Sequence, residues 1–277
     1  MVSTKKNHFI ESLLKNLLAW FASLLVLVPL ILIILNAFKG DGEALTMTMA
    51  LPKTWNWSNF AKVIEKGKLV GSFFNSLLYA GTSTVLTVIL ASMAAYIFSR
   101  RRSKKMGILY MYIVLGMVIP VNYVTLTKIM QLTHLVNTAP GIILLYTATQ
   151  VPFNVFLVHS FISKIPEDID EAAIIDGASA PGMFVKIILP LLKPVLVTVM
   201  VLTFLNTWNE FVMPLYFLDS SDKWPMTLAV YNFFGMYFKD WNLVCADIVL
   251  TSAPVILVYL IGQKYIVSGM TAGAVKG

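Results

Sequence analysis

Long apolar runs alternate along the chain with short charged segments. A membrane-spanning helix needs about 20 mainly apolar residues. Runs of this kind cover about 16–38, 73–98, 107–128, 140–162, 186–209 and 244–264. The pattern therefore predicts an all-α integral membrane protein with six transmembrane helices.

The basic residues that flank these runs indicate how the chain crosses the membrane. Cytoplasmic segments carry an excess of Lys and Arg, and the densest basic cluster, residues 100–105, follows the second run. We therefore expect both termini to be cytoplasmic. The predicted parts are an N-terminal segment (1–15), a permease domain (16–268) with outer loops 39–71 and 211–242 and a cytoplasmic loop 164–186, and a C-terminal tail (269–277).

Composition supports a bilayer as the solvent of this chain. Hydrophobic residues make up 58% of the sequence and charged residues 13%, whereas soluble proteins average about 25% charged residues. The net charge is +7, but the basic residues flank apolar runs and form no stripe, so nucleic acid is not an expected partner. Cys245 is the single cysteine, which excludes an intramolecular disulfide, and no spacing typical of a metal site is present.

The loop at 164–186 is unlike the rest of the sequence because four acids, Glu167, Asp168, Asp170 and Glu171, occupy five positions. Pro166 suits the first turn of a helix and acids suit its positive end. Gly177 is expected to end this helix, and Ser179 to cap the next one. That next helix is predicted to run straight into the fifth span.

A helix at 166–177 is too short to cross a membrane. We expect it to lie at the inner surface, with Ala172 and Ala173 open to close approach by a soluble partner. Movement of that partner would then pass rigidly into the fifth span. The alternative is an ordinary amphipathic connector between two spans.

The order of residues in this segment resembles a known loop. The form EAAxxDGAxxxxxFxxIxLPxxxP, which begins at Glu171 and ends at Pro194, resembles the "EAA loop" of binding-protein-dependent ABC importer permeases of the carbohydrate-uptake branch. The stretches FFNSL (73–77), FLNTWNEFVMPL (204–215) and GMTAGAVKG (269–277) are similar to the second, smaller permease of maltose-type transporters.

The resemblance implies a function and a set of partners. It implies a permease subunit that forms half of the translocation pathway for an oligosaccharide or related polyol, in the cytoplasmic membrane of a bacterium or archaeon. The implied partners are a second homologous permease, two cytoplasmic ABC ATPase subunits, an extracytoplasmic solute-binding protein and the lipid bilayer.

The resemblance also implies roles for particular residues. The helix at 166–177 would be a coupling helix that docks on an ATPase, with Glu171 pairing with a basic group. The implied docking residues are Glu171, Ala172, Ala173, Asp176 and Gly177. The tail would reach between the two ATPases through Thr271, Gly273 and Lys276.

No enzymatic site is expected in the chain. No GxxxxGK[ST] stretch is present, so the phosphate cradle of an ATPase is missing. We expect no catalytic residue and no bound cofactor here, and ATP and Mg²⁺ would be used by the partner ATPases. The alternative transporter class is an ion-coupled secondary carrier, which favours ionisable groups at mid-membrane and internal repeats. A third alternative is an integral membrane enzyme. It would need a catalytic cluster, and none stands out in the sequence.

Polar and aromatic residues in or near the spans are the candidate substrate pathway. Sugars are held by side-chain hydrogen bonds and aromatic faces. The candidates are Asn122, Tyr123, Gln150, Asn154, Asn206, Trp208 and Asn209. The same residue types also hydrogen-bond one helix to another in membranes, so this alternative stays open. In maltose-type systems the larger partner supplies most of the site.

Overall fold

The computed structural model describes the backbone of residues 2–234 and 240–274, and the side chains of residues 11–234 and 240–264. Within these ranges the secondary structure is helical, as the sequence predicted, and contains no β-strand. The helices are α1 (Val2–Ala37), α2 (Asp41–Ala44), α3 (Ser58–Lys66), α4 (Leu69–Arg100), α5 (Lys104–Leu115), α6 (Tyr123–Leu132), α7 (Ala139–Ile162), α8 (Asp168–Ile175), α9 (Ala180–Met183), α10 (Leu189–Leu191), α11 (Lys193–Trp208), α12 (Val212–Phe217), α13 (Met226–Ala229) and α14 (Trp241–Ala274). A π-helical turn (Phe184–Ile188) joins α9 to α10, and 3-10 turns at Ser221–Lys223 and Val230–Phe233 flank α13.

Four single helices of the described chain are long and apolar enough to cross a membrane. They are Glu11–Ala37 of α1, α4, α7 and Trp241–Lys264 of α14. A bent pair, Ala180–Leu191 and Lys193–Trp208, supplies a fifth candidate span. The first, second, fourth and sixth predicted spans therefore coincide with single helices, and the fifth coincides with the bent pair.

The third predicted span, 107–128, is wrong as a single helix. Helix α5 ends at Leu115, and the Asn122 side chain starts α6 by accepting a hydrogen bond of 3.1 Å from the Thr125 N–H. Pro120, between the two helices, has no N–H to continue a helix. The 12 residues of α5 reach about 18 Å at 1.5 Å per residue, which is less than the ~30 Å hydrocarbon core. The count of six spans stays a prediction that depends on α5.

The fifth span is not the straight continuation that the sequence predicted. The axis turns by 78° between Ala180–Leu191 and Lys193–Trp208. Pro190 and Pro194 on either side of the break have no N–H donor, and a proline ring also clashes with the preceding turn of a helix. The π-helical turn at Phe184–Ile188 changes the helical register just before the bend.

The chain divides into two compact units, of which the first comprises Met1–Leu69 and Val230–Ser252. Its interior contains several polar side chains among the apolar ones. The fully buried Lys39 donates from Nζ to the Thr48 carbonyl at 2.6 Å. Asn59 donates to the Ala37 and Lys39 carbonyls, each at 2.9 Å, and Asn242 of α14 donates to Asp41 Oδ1 at 2.7 Å. These bonds hold the loop after α1 against the start of α14.

The second unit comprises Val70–Ala229 and Ala253–Gly277, and its described part holds two apolar clusters. The cluster nearer α8 includes Val158, Ile162, Ala173, Ile188, Leu192, Val195 and Val199. The other lies near α12 and includes Tyr79, Met130, Ile142, Tyr146, Met213 and Phe217.

The start of α4 holds the segment that follows α12. Asn75 Nδ2 donates to the Asp222 carbonyl at 2.8 Å, and the Tyr79 hydroxyl donates to the Lys223 carbonyl at 3.0 Å. Ser76 Oγ accepts from the Met226 N–H at 2.8 Å. The polar residues of the FFNSL stretch therefore fix residues 222–226, which we name the α12–α13 segment, to one end of α4.

Close contact between α11 and α14 gives a first testable prediction. A Cβ placed on Gly262 would lie 2.6 Å from Val201 Cγ1. We expect Gly262→Ala to lower the free energy of unfolding by about 1–3 kcal/mol because the added methyl group overpacks the contact. Chemical unfolding in detergent would measure the change.

The control is the double variant Gly262→Ala/Val201→Ala, which removes both γ-methyl groups that the new Cβ would meet. We expect it to recover stability relative to Gly262→Ala alone. Strictly additive losses in the double variant would contradict this contact.

Candidate functional site

Helix α8 begins and ends on local signals in its sequence. Acidic residues Asp168, Asp170 and Glu171 fill its first turn, where the helix dipole favours negative charge. Gly177 follows with φ +78°, a conformation that only glycine adopts without strain. The Gly177 N–H bonds to the Ile174 carbonyl and the Ala178 N–H to the Ala173 carbonyl, both at 3.0 Å. This pattern is a Schellman helix end, so the predicted stop at Gly177 is confirmed.

The next helix starts as predicted. Ser179 Oγ accepts from the Gly182 N–H at 3.3 Å and caps α9. Helix α8 has 8 residues and is shorter than the predicted 166–177, because Pro166 lies just before the helix rather than in its first turn.

A buried ion pair attaches α8 to the end of α4. Asp170 Oδ2 lies 2.7 Å from Arg100 Nε, with side-chain exposures of 11% and 14%. The Tyr96 hydroxyl donates to Asp170 Oδ1 at 2.7 Å, and Arg100 Nη1 donates to the Ile165 carbonyl at 3.1 Å. The sequence did not indicate this pair, because nothing in it selects Asp170 among the acids or Arg100 among the basic residues.

A second ion pair joins the same two regions at the surface. Arg102 Nη2 lies 2.6 Å from Glu167 Oε1, with side-chain exposures of 81% and 46%. Exposed pairs contribute about 0–1 kcal/mol. Removal of one partner of a buried pair leaves an uncompensated buried charge and is strongly destabilising. The buried pair is therefore the one more sensitive to substitution, and the exposed pair provides a natural control for it.

Four of the five predicted docking residues face outward. Glu171, Ala172, Asp176 and Gly177 are exposed. The prediction for Ala173 is wrong, because its methyl group is buried in the cluster around Val158 and Ile162 and is not open to a partner.

The exposed surface of α8 also contains two residues that the sequence did not single out. Ile174 and Ile175 are 62% and 85% exposed. Two neighbouring isoleucines at a helix end beside the exposed Glu171 form a small apolar surface with an adjacent charge. Such a surface fits a protein partner better than water.

The predicted tail is described only in part. The backbone of α14 is helical as far as Ala274, so Thr271 and Gly273 lie on a helix, whereas Lys276 is outside the described residues. The sequence suggested no helix here because it is rich in glycine. A glycine costs about 1 kcal/mol in a helix, and extension of a helix that has already nucleated tolerates that cost.

Two candidate pathway residues serve helix packing. Asn154 of α7 is buried and donates to Thr203 Oγ1 of α11 at 3.0 Å and to the Gln150 carbonyl at 2.8 Å. Trp208 of α11 is buried, and its ring centroid lies 5.9 Å from that of Phe73 of α4. For Asn154 the alternative of a helix–helix hydrogen bond is therefore the observed arrangement.

The other candidates are at least partly accessible. Asn206 and Asn209 are exposed at the end of α11, and Asn209 donates to the Leu205 carbonyl at 2.8 Å. Tyr123 stacks on Tyr216 with ring centroids 4.8 Å apart. Asn122 is exposed and caps α6, while Gln150 is half-buried and accepts from Asn154 through its backbone.

Comparison with known proteins identifies the family. Residues 87–272 match the family described as the binding-protein-dependent transport system inner membrane component. This chain belongs to that family. It is therefore a multi-pass inner-membrane permease of the ABC importer class and a transport protein rather than an enzyme, as its sequence predicted.

Relatives of the permease match it over nearly their whole lengths. A diacetylchitobiose uptake system permease protein of Streptomyces coelicolor is 32% identical, over 94% of this chain and 87% of the relative. A probable starch degradation products transport system permease protein of Thermoanaerobacterium thermosulfurigenes is 32% identical, over 98% and 99%. A multiple sugar-binding transport system permease protein of Streptococcus mutans is 33% identical, over 98% and 100%.

A solved structure supports the fold of the permease. A chain of a bacterial ABC transporter involved in the import of the acidic polysaccharide alginate superposes with a TM-score of 0.81, covering 92% of this chain and 96% of the other. The two sequences are 23% identical. The helical arrangement of the permease is therefore that of a known importer.

The turn after α8 gives the second prediction. At φ +78° a Cβ costs about 1–2 kcal/mol. We expect Gly177→Ala to speed hydrogen exchange at the Gly177 and Ala178 amides about 10-fold, since the Schellman bonds open more often. Exchange followed by mass spectrometry of the 164–186 peptide measures it.

Gly107→Ala on α5 is the control, because a Cβ there meets nothing within 4 Å. Slower or unchanged exchange in the 164–186 peptide of Gly177→Ala would show that this turn does not require glycine.

Proposed function

We propose that the permease forms half of the translocation pathway of an ATP-driven importer for an oligosaccharide or related polyol. The observation that carries the proposal is the identity of the relatives. Permeases that match this chain along its length are named for diacetylchitobiose, starch degradation products and multiple sugars. Their shared substrate chemistry, short chains of sugars, supports the same class here.

We propose that α8 docks on one of two cytoplasmic ABC ATPase subunits. The support is its exposed surface, in which Glu171, Asp176 and Gly177 adjoin Ile174 and Ile175. Apolar side chains at the centre and a charge at the edge are typical of protein interfaces. ATP and Mg²⁺ would be used by those ATPases, and no cofactor is assigned to this chain.

The remaining partners are a second homologous permease, an extracytoplasmic solute-binding protein and the bilayer. None of the most apolar window of α1 is buried within the chain, so lipid or a second permease is needed to cover it. The family description itself refers to a binding protein. We further propose that the end of α14, with Thr271 and Gly273, and the following Lys276 contact the ATPases.

The proposed orientation places both termini and α8 in the cytoplasm. It is supported by the ion pairs that hold α8 beside the basic cluster at the end of α4, since such clusters favour the cytoplasmic side. Asn206 and Asn209, at the opposite end of α11 from its bend, are the accessible polar groups that we assign to the sugar pathway.

An ion-coupled carrier is the weaker alternative. Asp247 on α14 is a buried carboxylate, a feature that ion-coupled carriers share. Membership in a binding-protein-dependent family favours the ATP-driven importer.

The docking proposal gives the third prediction. We expect Glu171→Ala and Ile175→Ser each to reduce the amount of ATPase that co-purifies with the permease, because the loss of one partner of an interfacial charge pair costs about 2–5 kcal/mol. Uptake should fall in parallel while membrane insertion is unchanged. Asp168→Asn alters another exposed acid of α8 and is the matched control. Full ATPase recovery with both test variants would exclude α8 as the docking element.

The substrate class gives the fourth prediction. In proteoliposomes with both permeases, the ATPases and the binding protein, we expect an oligosaccharide or polyol from a panel to stimulate ATP hydrolysis only when the binding protein is present. Dissipation of proton and sodium gradients should not slow uptake. Uptake that persists without ATP and follows an ion gradient would establish the carrier instead.

A further inference from the structure

We propose that α8 moves together with α4 rather than with α11, and that Asp170, Arg100 and Tyr96 are the positioning residues for this movement. The proposal rests on the proposed function of α8 as the ATPase-docking helix. It names the route by which a displacement of α8 reaches the far side of the permease.

Among the described residues, the side-chain hydrogen bonds and ion pairs between 165–170 and the body of the permease go to α4 and the residues just after it. Arg100 binds both Asp170 and the Ile165 carbonyl, and Tyr96 binds Asp170 from one turn earlier on α4. Charge-assisted hydrogen bonds are short and directional. Two side chains on one face of α4 therefore fix both the position and the orientation of α8.

The connection along the chain from α8 to α11 is interrupted by turns and a bend. Along the chain it passes the Gly177 turn, the π-helical turn Phe184–Ile188 and the 78° bend beside Leu192. Through space, α8 meets α11 by way of the Ala173 methyl group in the cluster that includes Val195. Apolar contacts are non-directional, so they allow small displacements that the Tyr96–Asp170 hydrogen bond and the ion pair beside it resist.

A groove opens beside the contact between α4 and the segment before the bend, where the ring centroids of Tyr96 and Phe184 lie 5.4 Å apart. A groove of about 690 Å³ is lined by Ile89, Met93 and Ile97 of α4 and by Pro181, Val185 and Leu189 of the segment before the bend. The segment therefore has room to shift along α4 while α8 stays attached to it.

Helix α4 is suited to transmit a displacement over its length. Among the candidate spans of the described chain it is the one without a proline, whereas α1, α7 and α14 contain Pro29, Pro152 and Pro254, and α11 begins next to Pro194. Sharp kinks arise mainly at prolines. Its 32 residues span about 48 Å at 1.5 Å per residue.

The far end of α4 holds the α12–α13 segment through Asn75, Ser76 and Tyr79. A displacement of α8 is thus linked by hydrogen bonds at both ends of one unbroken helix to a loop on the other side of the membrane. This loop follows Asn206 and Asn209 in the chain, so the same helix joins the ATPase side to the proposed sugar pathway.

The test uses the complete importer in proteoliposomes and measures the ATP hydrolysed per sugar transported. We expect Asp170→Asn to leave the complex assembled and hydrolysing ATP while uptake falls roughly ten-fold, within the range found for variants along coupling routes. Tyr96→Phe removes one hydroxyl and should give a smaller loss of the same kind. Glu167→Gln, in the exposed pair, is the matched control and should leave the ratio unchanged.

Exchange of the two charges between positions 100 and 170 distinguishes a positioning role from general destabilisation of the fold. The double variant Arg100→Asp/Asp170→Arg should recover coupling relative to either single variant, because it restores an ion pair at the same place. A ratio unchanged in both Asp170→Asn and Tyr96→Phe would overturn the proposal. A double variant that assembles but shows no recovery of the ratio of ATP hydrolysed to sugar transported would also overturn the proposal.

The distances from α8 to α4 and from α8 to α11 provide a second measurement. A purely structural role of Asp170, Arg100 and Tyr96 predicts no particular change in these distances. Spin labels on Asp168→Cys and Ile97→Cys report α8 against α4, and labels on Asp168→Cys and Met200→Cys report α8 against α11. When a non-hydrolysable ATP analogue binds, we expect the first distance to stay constant and the second to change. A constant α8–α11 distance with a changing α8–α4 distance would overturn the proposal.

The experiments separate a failure of the docking function of α8 from a failure of the route through α4. If the ATPases do not co-purify with the wild-type permease, the docking function of α8 is wrong. If they co-purify and drive uptake, but the Asp170 and Tyr96 variants couple normally, only the route through α4 is wrong.

Discussion

The arrangement of the face that carries α8 depends on the ion pair between Asp170 and Arg100. Removal of two charges from water costs several kcal/mol per ion, and attraction offsets this cost only where the remaining polar atoms are also satisfied. Tyr96 and the Ile165 carbonyl supply two of those bonds, to Asp170 Oδ1 and Arg100 Nη1, and Arg100 Nη2 is buried without one. With the pair in place, α8 turns its apolar Ala173 inward and its isoleucines outward, which creates the exposed surface that we propose for docking.

The two ends of the permease are built by the same physical means. At one end α4 holds α8 through side-chain bonds, and at the other end it holds the α12–α13 segment in the same way. Helix packing in a membrane lacks the hydrophobic driving force that operates in water. Specific polar contacts at the helix ends are therefore well placed to fix elements that lie outside the bilayer.

Local chemistry made some of the site predictable and left other parts hidden. Gly177 and Ser179 were identified correctly because a helix end and a helix cap depend on adjacent residues. Ala173 was assigned to the wrong face, since two neighbouring alanines do not reveal which side packs inward. Ile174 and Ile175 were overlooked because isoleucine in an apolar chain gives no signal until its exposure is known.

The sequence by itself determined the helical membrane class, most of the spans, the turn at Gly177 and the family, because these follow from hydrophobic run length and short residue patterns. Tertiary structure decided the rest. The break after Leu115 and the 78° bend at Leu192 lie beside prolines, but a proline alone does not fix whether a span ends, bends or continues. The choice of Arg100 as the partner of Asp170 depends on a contact between residues distant in sequence. A pair 70 positions apart leaves no periodicity in the chain, so only the packed fold selects it.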